Sequence, residues 1–216
     1  MASNPYMDKY TKLGNNFALE CTYSKAQLDL AEKKGRELGL LKNSITKGKS
    51  NVWGMLGEIV VAEFTKSKIV NNRHYDLLTQ DGKKIEVKTK KTKLKHKPKP
   101  HFECSVCDHN SKQQCDYYVF VRVSTTCNKA WICGQISRKQ FFKVARFFKK
   151  GDTDPRNNYK VHASCWNISI SELCAIGKLK VPPNKCKSKS PAAKTEEGQQ
   201  GKHKGQAGNC RRELAP

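Results

Sequence analysis

Asp76, Glu86 and Lys88 stand in one short stretch, and Glu58 precedes them; their types suit holding a hard cation beside an ammonium group. The stretch runs from His74 to Lys90 and reads His-Tyr-Asp-Leu-Leu-Thr-Gln-Asp-Gly-Lys-Lys-Ile-Glu-Val-Lys-Thr-Lys. Asp81-Gly82 between two strand-like runs predicts a β-hairpin, and its register decides what the side chains can do. A two-residue Asp-Gly loop pairs Asp76 with Val87 and sends Asp76 and Glu86 to opposite faces. A three-residue loop, Gln80-Asp81-Gly82 with Gly82 left-handed, pairs Leu77 with Ile85 and Asp76 with Glu86. The second register buries more. Tyr75, Leu77, Ile85 and Val87 then share one face and Asp76, Glu86 and Lys88 the other, because a one-residue slip inverts a strand. Opposed Cβ atoms lie about 5 Å apart, close enough for two carboxylates to hold one cation, with Lys88 beside it.

These residues need a frame. Ser24 is a good N-cap for a helix with the apolar stripe Leu28, Ala31, Gly35 and Leu38, and Gln27 completes a capping box. Lys42 to Ser50 reads as a basic loop. Asn51 caps a second helix, Val52 to about Lys66, with Trp53, Leu56, Val60 and Phe64 at helical spacing. Glu58 interrupts the apolar run of that helix, among the small residues Gly54, Gly57 and Ala62. Two glycines in a helix cost about 1 kcal/mol each relative to Ala, so they argue for close approach to a ligand or a sheet; the alternative is an exposed glutamate on a tightly packed helix.

After the hairpin, Thr89 to Pro100 is a lysine-rich loop closed by Pro98 and Pro100. Phe102–Val106 alternates as a short strand. Cys115–Val123, apolar at nearly every position, predicts a central strand, and Ala130–Ile136 a second one. Ser137 can cap a helix from Arg138 to Lys150 with Phe141, Val144, Ala145 and Phe148 on one face. Gly151–Pro155 reads as a turn, followed by short strands near Tyr159–His162 and Trp166–Ile170 and a helical turn from Ser171. Residues 1–23 show no period and read as a lead-in. The domain then spans 24–180, with its core at 51–171, and a disordered basic tail fills 181–216.

The chain has 216 residues and a net charge of +23, a field that attracts polyanions by releasing their counterions. The tail from Val181 holds eight basic and three acidic residues, so most of that charge belongs to the folded part. No signal peptide is visible, and the longest apolar run, Ile59–Ala62, is far too short to span a bilayer. Ten cysteines without a secretory signal predict reduced thiols in a cytosol.

Glu58 on a helix, Asp76, and then Glu86-Val87-Lys88 resemble the PD-(D/E)XK nuclease superfamily. Element order from Val52 to Ile170 is similar too: helix, hairpin, central strand, further strand, helix. Tyr75 stands where the motif has proline. The resemblance implies a mixed α/β fold with a restriction-endonuclease-like core, a central mixed sheet flanked by helices. It also implies a Mg²⁺ site, with Mn²⁺ as a substitute, formed by Asp76, Glu86 and the Val87 backbone carbonyl. Glu58 would bind that ion through water, or a second one, and Lys88 would orient or deprotonate the attacking water. Lys83, Lys84, Lys90, Lys91, Lys93, Lys95, Lys97 and Lys99 would contact phosphates without reading sequence. The expected activity is DNA hydrolysis, endonucleolytic and weakly specific, by a phage-type cytoplasmic enzyme acting as monomer or homodimer, with RNA and branched DNA left open as substrates.

Two other classes compete. One is a basic nucleic-acid-binding protein without catalysis, in which Asp76, Glu86 and Lys88 form only a surface ion cluster. The other is a zinc-stabilised interaction protein using Cys104, Cys107, His109 and Cys115. Alternation along Phe102–Val106 puts Cys104 with Val106, as core packing would. Gln135 is a weak candidate for a further polar site residue, against a hydrogen-bonded sheet glutamine.

Overall fold

The structure, a computed structural model, describes residues 10–12, 18–38, 51–70 and 72–177. All of them fall within one unit, Met1–Pro182. The expectations for the Lys42–Ser50 loop and the 181–216 tail lie outside the described residues.

The strands are β1 (Tyr10–Lys12), β2 (Leu19–Thr22), β3 (Lys68–Ile69), β4 (Leu77–Leu78), β5 (Lys84–Thr92), β6 (Glu103–Cys107), β7 (Tyr117–Ser124), β8 (Lys129–Ser137), β9 (Arg146–Phe148), β10 (Thr153–Asp154), β11 (Tyr159–Lys160) and β12 (Cys165–Ser169). The α-helices among the described residues are α1 (Lys25–Glu37), α2 (Asn51–Thr65) and α3 (Arg138–Val144). The result is a mixed α+β fold. A seven-stranded sheet runs in the order β1-β2-β8-β7-β5-β4-β3, with β5 and β7 parallel and every other pair antiparallel. A three-stranded sheet, β6-β12-β9, and the β10-β11 hairpin complete it.

Both faces of the large sheet are covered, which is why β7 and β8 are apolar along almost their whole length. Ile85, Val87, Val119, Val121 and Ile132 face α1 and α2 through Ala31, Leu56 and Val60. Tyr118, Phe120 and Cys133 face the other way, onto Val106, Ile168 and Phe141. Parity along β5 therefore separates the face toward α1 and α2, with Ile85 and Val87, from the face of Glu86 and Lys88.

Local signals set several elements. Ser24 caps α1, with Ser24 Oγ accepting from the Gln27 amide at 3.2 Å and the Ser24 amide donating to Gln27 Oε1 at 2.7 Å. The end of the α1 stripe differs, because Leu38 is exposed. Residues 1–23 hold two strands of the main sheet, and β2 pairs with β8 from Leu19↔Ile132 to Thr22↔Lys129. Thr153 and Asp154 lie in β10 rather than in a turn. The helix expected to reach Lys150 stops at Val144: Ala145 is extended, and Arg146–Phe148 pairs with β12. Ladder bonds to β12, and the reach of Arg146 to Glu103, outweigh a helical pattern that continues on paper.

Candidate functional site: a carboxylate cluster at a strand edge

The hairpin takes the three-residue register. Leu77 pairs with Ile85, Gly82 has φ +78°, and the Thr79 amide donates to the Lys83 carbonyl at 2.9 Å. A left-handed φ at Gly82 is what closes this turn without a Cβ clash. The ladder ends at Leu77. Asp76 then donates its amide to the Ile85 carbonyl at 2.9 Å and turns its carboxylate back, so that Oδ2 accepts the Val87 amide at 2.7 Å. Amide and carbonyl of one strand residue point to the same side, so the Val87 carbonyl opens to this edge as well. Tyr75 departs from the expected face: it packs on the opposite core with Lys84 over its ring, because the chain leaves the strand before Leu77.

Glu86 is 4% exposed. Its Oε1 accepts from Lys88 Nζ at 2.6 Å and from Gln113 Nε2 at 2.7 Å, while Lys88 Nζ also donates to Gln113 Oε1 at 3.1 Å. Glu58 comes from α2, which lies close against β5. A Cβ on Gly57 would stand 2.0 Å from Thr89 Oγ1, so glycine there is what allows the approach. Gly54 meets nothing within 4 Å, and the close approach rests on Gly57 alone of the two.

The electrostatics follow from this convergence. Burial first, then Glu86, pushes Glu58 up to about 7, with Lys88 pulling the other way. Burial, then Glu86 and Glu58, raises Asp76 well above the usual carboxylate range, against Lys88 and the Val87 amide. Glu58 Oε2 and Glu86 Oε2 are buried without a hydrogen-bond partner. Among the described residues no three His, Cys, Asp or Glu side chains form a ready-made metal cage; Val87, Lys88 and Gln113 occupy part of the acidic oxygens. The donor set nonetheless fits a hard divalent ion, since it offers carboxylate oxygens, two of them without a donor, whose mutual repulsion such an ion would relieve.

Gln113, in the loop before β7, escaped sequence reasoning. A glutamine in a polar loop carries no periodic or motif signal, and only the tertiary fold brings it to Glu86. Gln135, by contrast, is a sheet residue. It exchanges backbone hydrogen bonds with Cys174, and its Nε2 donates to the Ala175 carbonyl at 3.4 Å.

The lysines divide. Lys83 and Lys84 flank the hairpin, and Lys90 and Lys91 line a cleft beside β5. Lys93, Lys95 and Lys97 do not crowd the hairpin: the loop runs past β5 to the Ser124–Cys127 turn, where Thr126 Oγ1 donates to the Lys93 carbonyl and Ser124 Oγ to Leu94. Lys99 follows on that return path, with the Phe102 amide donating to its carbonyl. Cys104 is buried with Val106, Cys107 lies on the opposite face of β6, and His109 is exposed in a 3₁₀ turn, so these groups do not converge with Cys115.

The chain matches no protein-family model and no curated protein in sequence.

Proposed function

We propose that the chain is a divalent-metal-dependent nuclease with a restriction-endonuclease-like core, hydrolysing DNA phosphodiester bonds at Asp76, Glu86, Lys88 and Glu58. One observation carries the reading. Carboxylates from three elements, α2, the entry to β4, and β5, lie within electrostatic reach of one another beside a lysine at an open strand edge. Buried carboxylates of like charge are expensive unless a cation or a proton offsets them.

Bound there, Mg²⁺ or Mn²⁺ would supply Lewis-acid polarisation of the phosphate and a more acidic water. Asp76, Glu86 and the Val87 carbonyl would hold the ion, and Glu58 would act through water or on a second ion. Lys88 orients the attacking water and neutralises charge that grows on the phosphate. Gln113 keeps Lys88 and Glu86 in register. Lys83, Lys84, Lys90 and Lys91 steady flanking phosphates, which positions a strand without reading its bases. The cleavage proposed is endonucleolytic, which a closed circular substrate tests directly. Among the described residues no helix is long and apolar enough to cross a membrane.

The 2.6 Å Lys88–Glu86 pair favours a second reading, a latch on a protein that binds nucleic acid without cutting it. Variants separate the two. Glu86→Gln and Lys88→Ala should each lower Mg²⁺-dependent oligonucleotide cleavage by about 10²–10⁴-fold while binding in EDTA persists. Cleavage at native rates in both variants would remove Glu86 and Lys88 from the chemistry, and none by the native chain with any divalent metal would leave only the binding protein.

A further inference from the structure

The polar face of β5 continues past Lys88 to Lys90, and the registered partner of Lys90 on parallel β7 is Arg122. Directly opposed like charges repel, yet these two share one acceptor: Lys90 Nζ donates to the Glu103 carbonyl at 3.3 Å and Arg122 Nη2 at 2.9 Å. The Glu103 carboxylate is engaged elsewhere. Arg146 Nη2 donates to both its oxygens, at 2.9 and 3.1 Å, Ser169 Oγ donates at 3.1 Å, and Arg156 stands 3.8 Å away.

Arg122 is only 9% exposed, its guanidinium lies over the Phe102 ring, and its Nε has no hydrogen-bond partner. Lys90 is an exposed residue, yet burial of its ammonium group, then Arg122, lowers its pKa. Both cations line two cavities, one of about 200 Å³ that also touches Lys88 and one of about 870 Å³ that runs on to Lys91, His101, Arg156 and the exposed Tyr159. A strand rises about 3.3 Å per residue, so Lys88 and Lys90 are about 7 Å apart, comparable to one step between successive phosphates of an extended nucleic-acid strand.

We propose that Lys90 and Arg122 form a phosphate subsite, which holds the backbone phosphate next to the one brought to Lys88. A phosphate accepts from the planar guanidinium and the ammonium together and removes their mutual repulsion. The identity of the ligand as part of a strand rests on the nuclease reading; the anion chemistry of the pair does not.

Two measurements on the full chain separate these layers. The first is thermal unfolding in EDTA with inorganic phosphate, compared with chloride at equal ionic strength. Phosphate raises the midpoint of the native chain and of Arg122→Lys, but not of Lys90→Gln or Arg122→Gln. Lys90→Gln guards against misfolding, because its side chain is exposed. The second is binding, in EDTA, of oligonucleotides with one neutral methylphosphonate linkage moved stepwise from the bond that Mg²⁺ allows to be cut. Next to that bond the neutral linkage weakens native binding about tenfold and has no further effect in Lys90→Gln, while elsewhere it weakens both alike. A phosphate response and a linkage effect unchanged in both glutamine variants overturn the subsite, even if the protein cuts. A phosphate response lost in the variants, with no bond cut under any divalent metal, overturns the strand subsite together with the nuclease reading and leaves a site for small phosphate anions.

Discussion

Glu58 and Asp76 are the carboxylates on which the fold raises proton affinity most clearly, and this has a sign that can be measured. Glu58 moves from an ordinary 4.5 to about 7. Between those values the folded chain keeps a proton that the unfolded chain releases, so this contribution to stability is complete below about pH 4.5 and is lost as pH rises through about 7. Glu58→Gln is neutral throughout. In EDTA the native unfolding midpoint should therefore fall more steeply than that of Glu58→Gln between about pH 5 and pH 8. Equal slopes would mean that burial and the neighbouring Glu86 do not raise the proton affinity of Glu58. Added Mg²⁺ should flatten the native slope, because an ion held by the carboxylates favours their charged forms.

At the scale of elements, the site exists because α2 can lie against β5. Gly57→Ala gains about 1 kcal/mol of helix propensity but drives a methyl group into Thr89, an overpacking that costs about 1–3 kcal/mol. We expect a lower unfolding midpoint and weaker cleavage, both partly restored when Thr89→Ala is added; a midpoint at or above the native value would show that α2 is free to shift. The hairpin register was legible because the Asp-Gly turn and the apolar parity of Leu77, Ile85 and Val87 agree. Ser24 and Gln27 announced α1 through their own hydrogen bonds. The end of α3 was not legible: Phe141, Val144, Ala145 and Phe148 keep helical spacing, and nothing in that segment foretells that β12 will claim Arg146–Phe148. Tyr75 changed face because β4 is too short to carry strand parity that far. Leu19–Thr22 alternates over only four residues, too few to stand out without β8 beside it.

At the scale of the molecule, the proposed function would have a net charge of +23 set affinity for polyanions, while a few cations beside β5 would set position. Binding should weaken linearly in log–log salt titration, with a slope of about 0.9 per phosphate neutralised on duplex DNA; Lys90→Gln should reduce that slope by about one contact. A slope near zero would remove the electrostatic account. The most direct measurement is electrophoresis of supercoiled plasmid after incubation with the full chain, in Mg²⁺ or in EDTA, beside Lys88→Ala. Nicked or linear plasmid that requires Mg²⁺ and is absent with Lys88→Ala is the expected result, since a closed circle offers no ends. Plasmid left supercoiled with every divalent metal, yet retarded equally by both proteins, would contradict it.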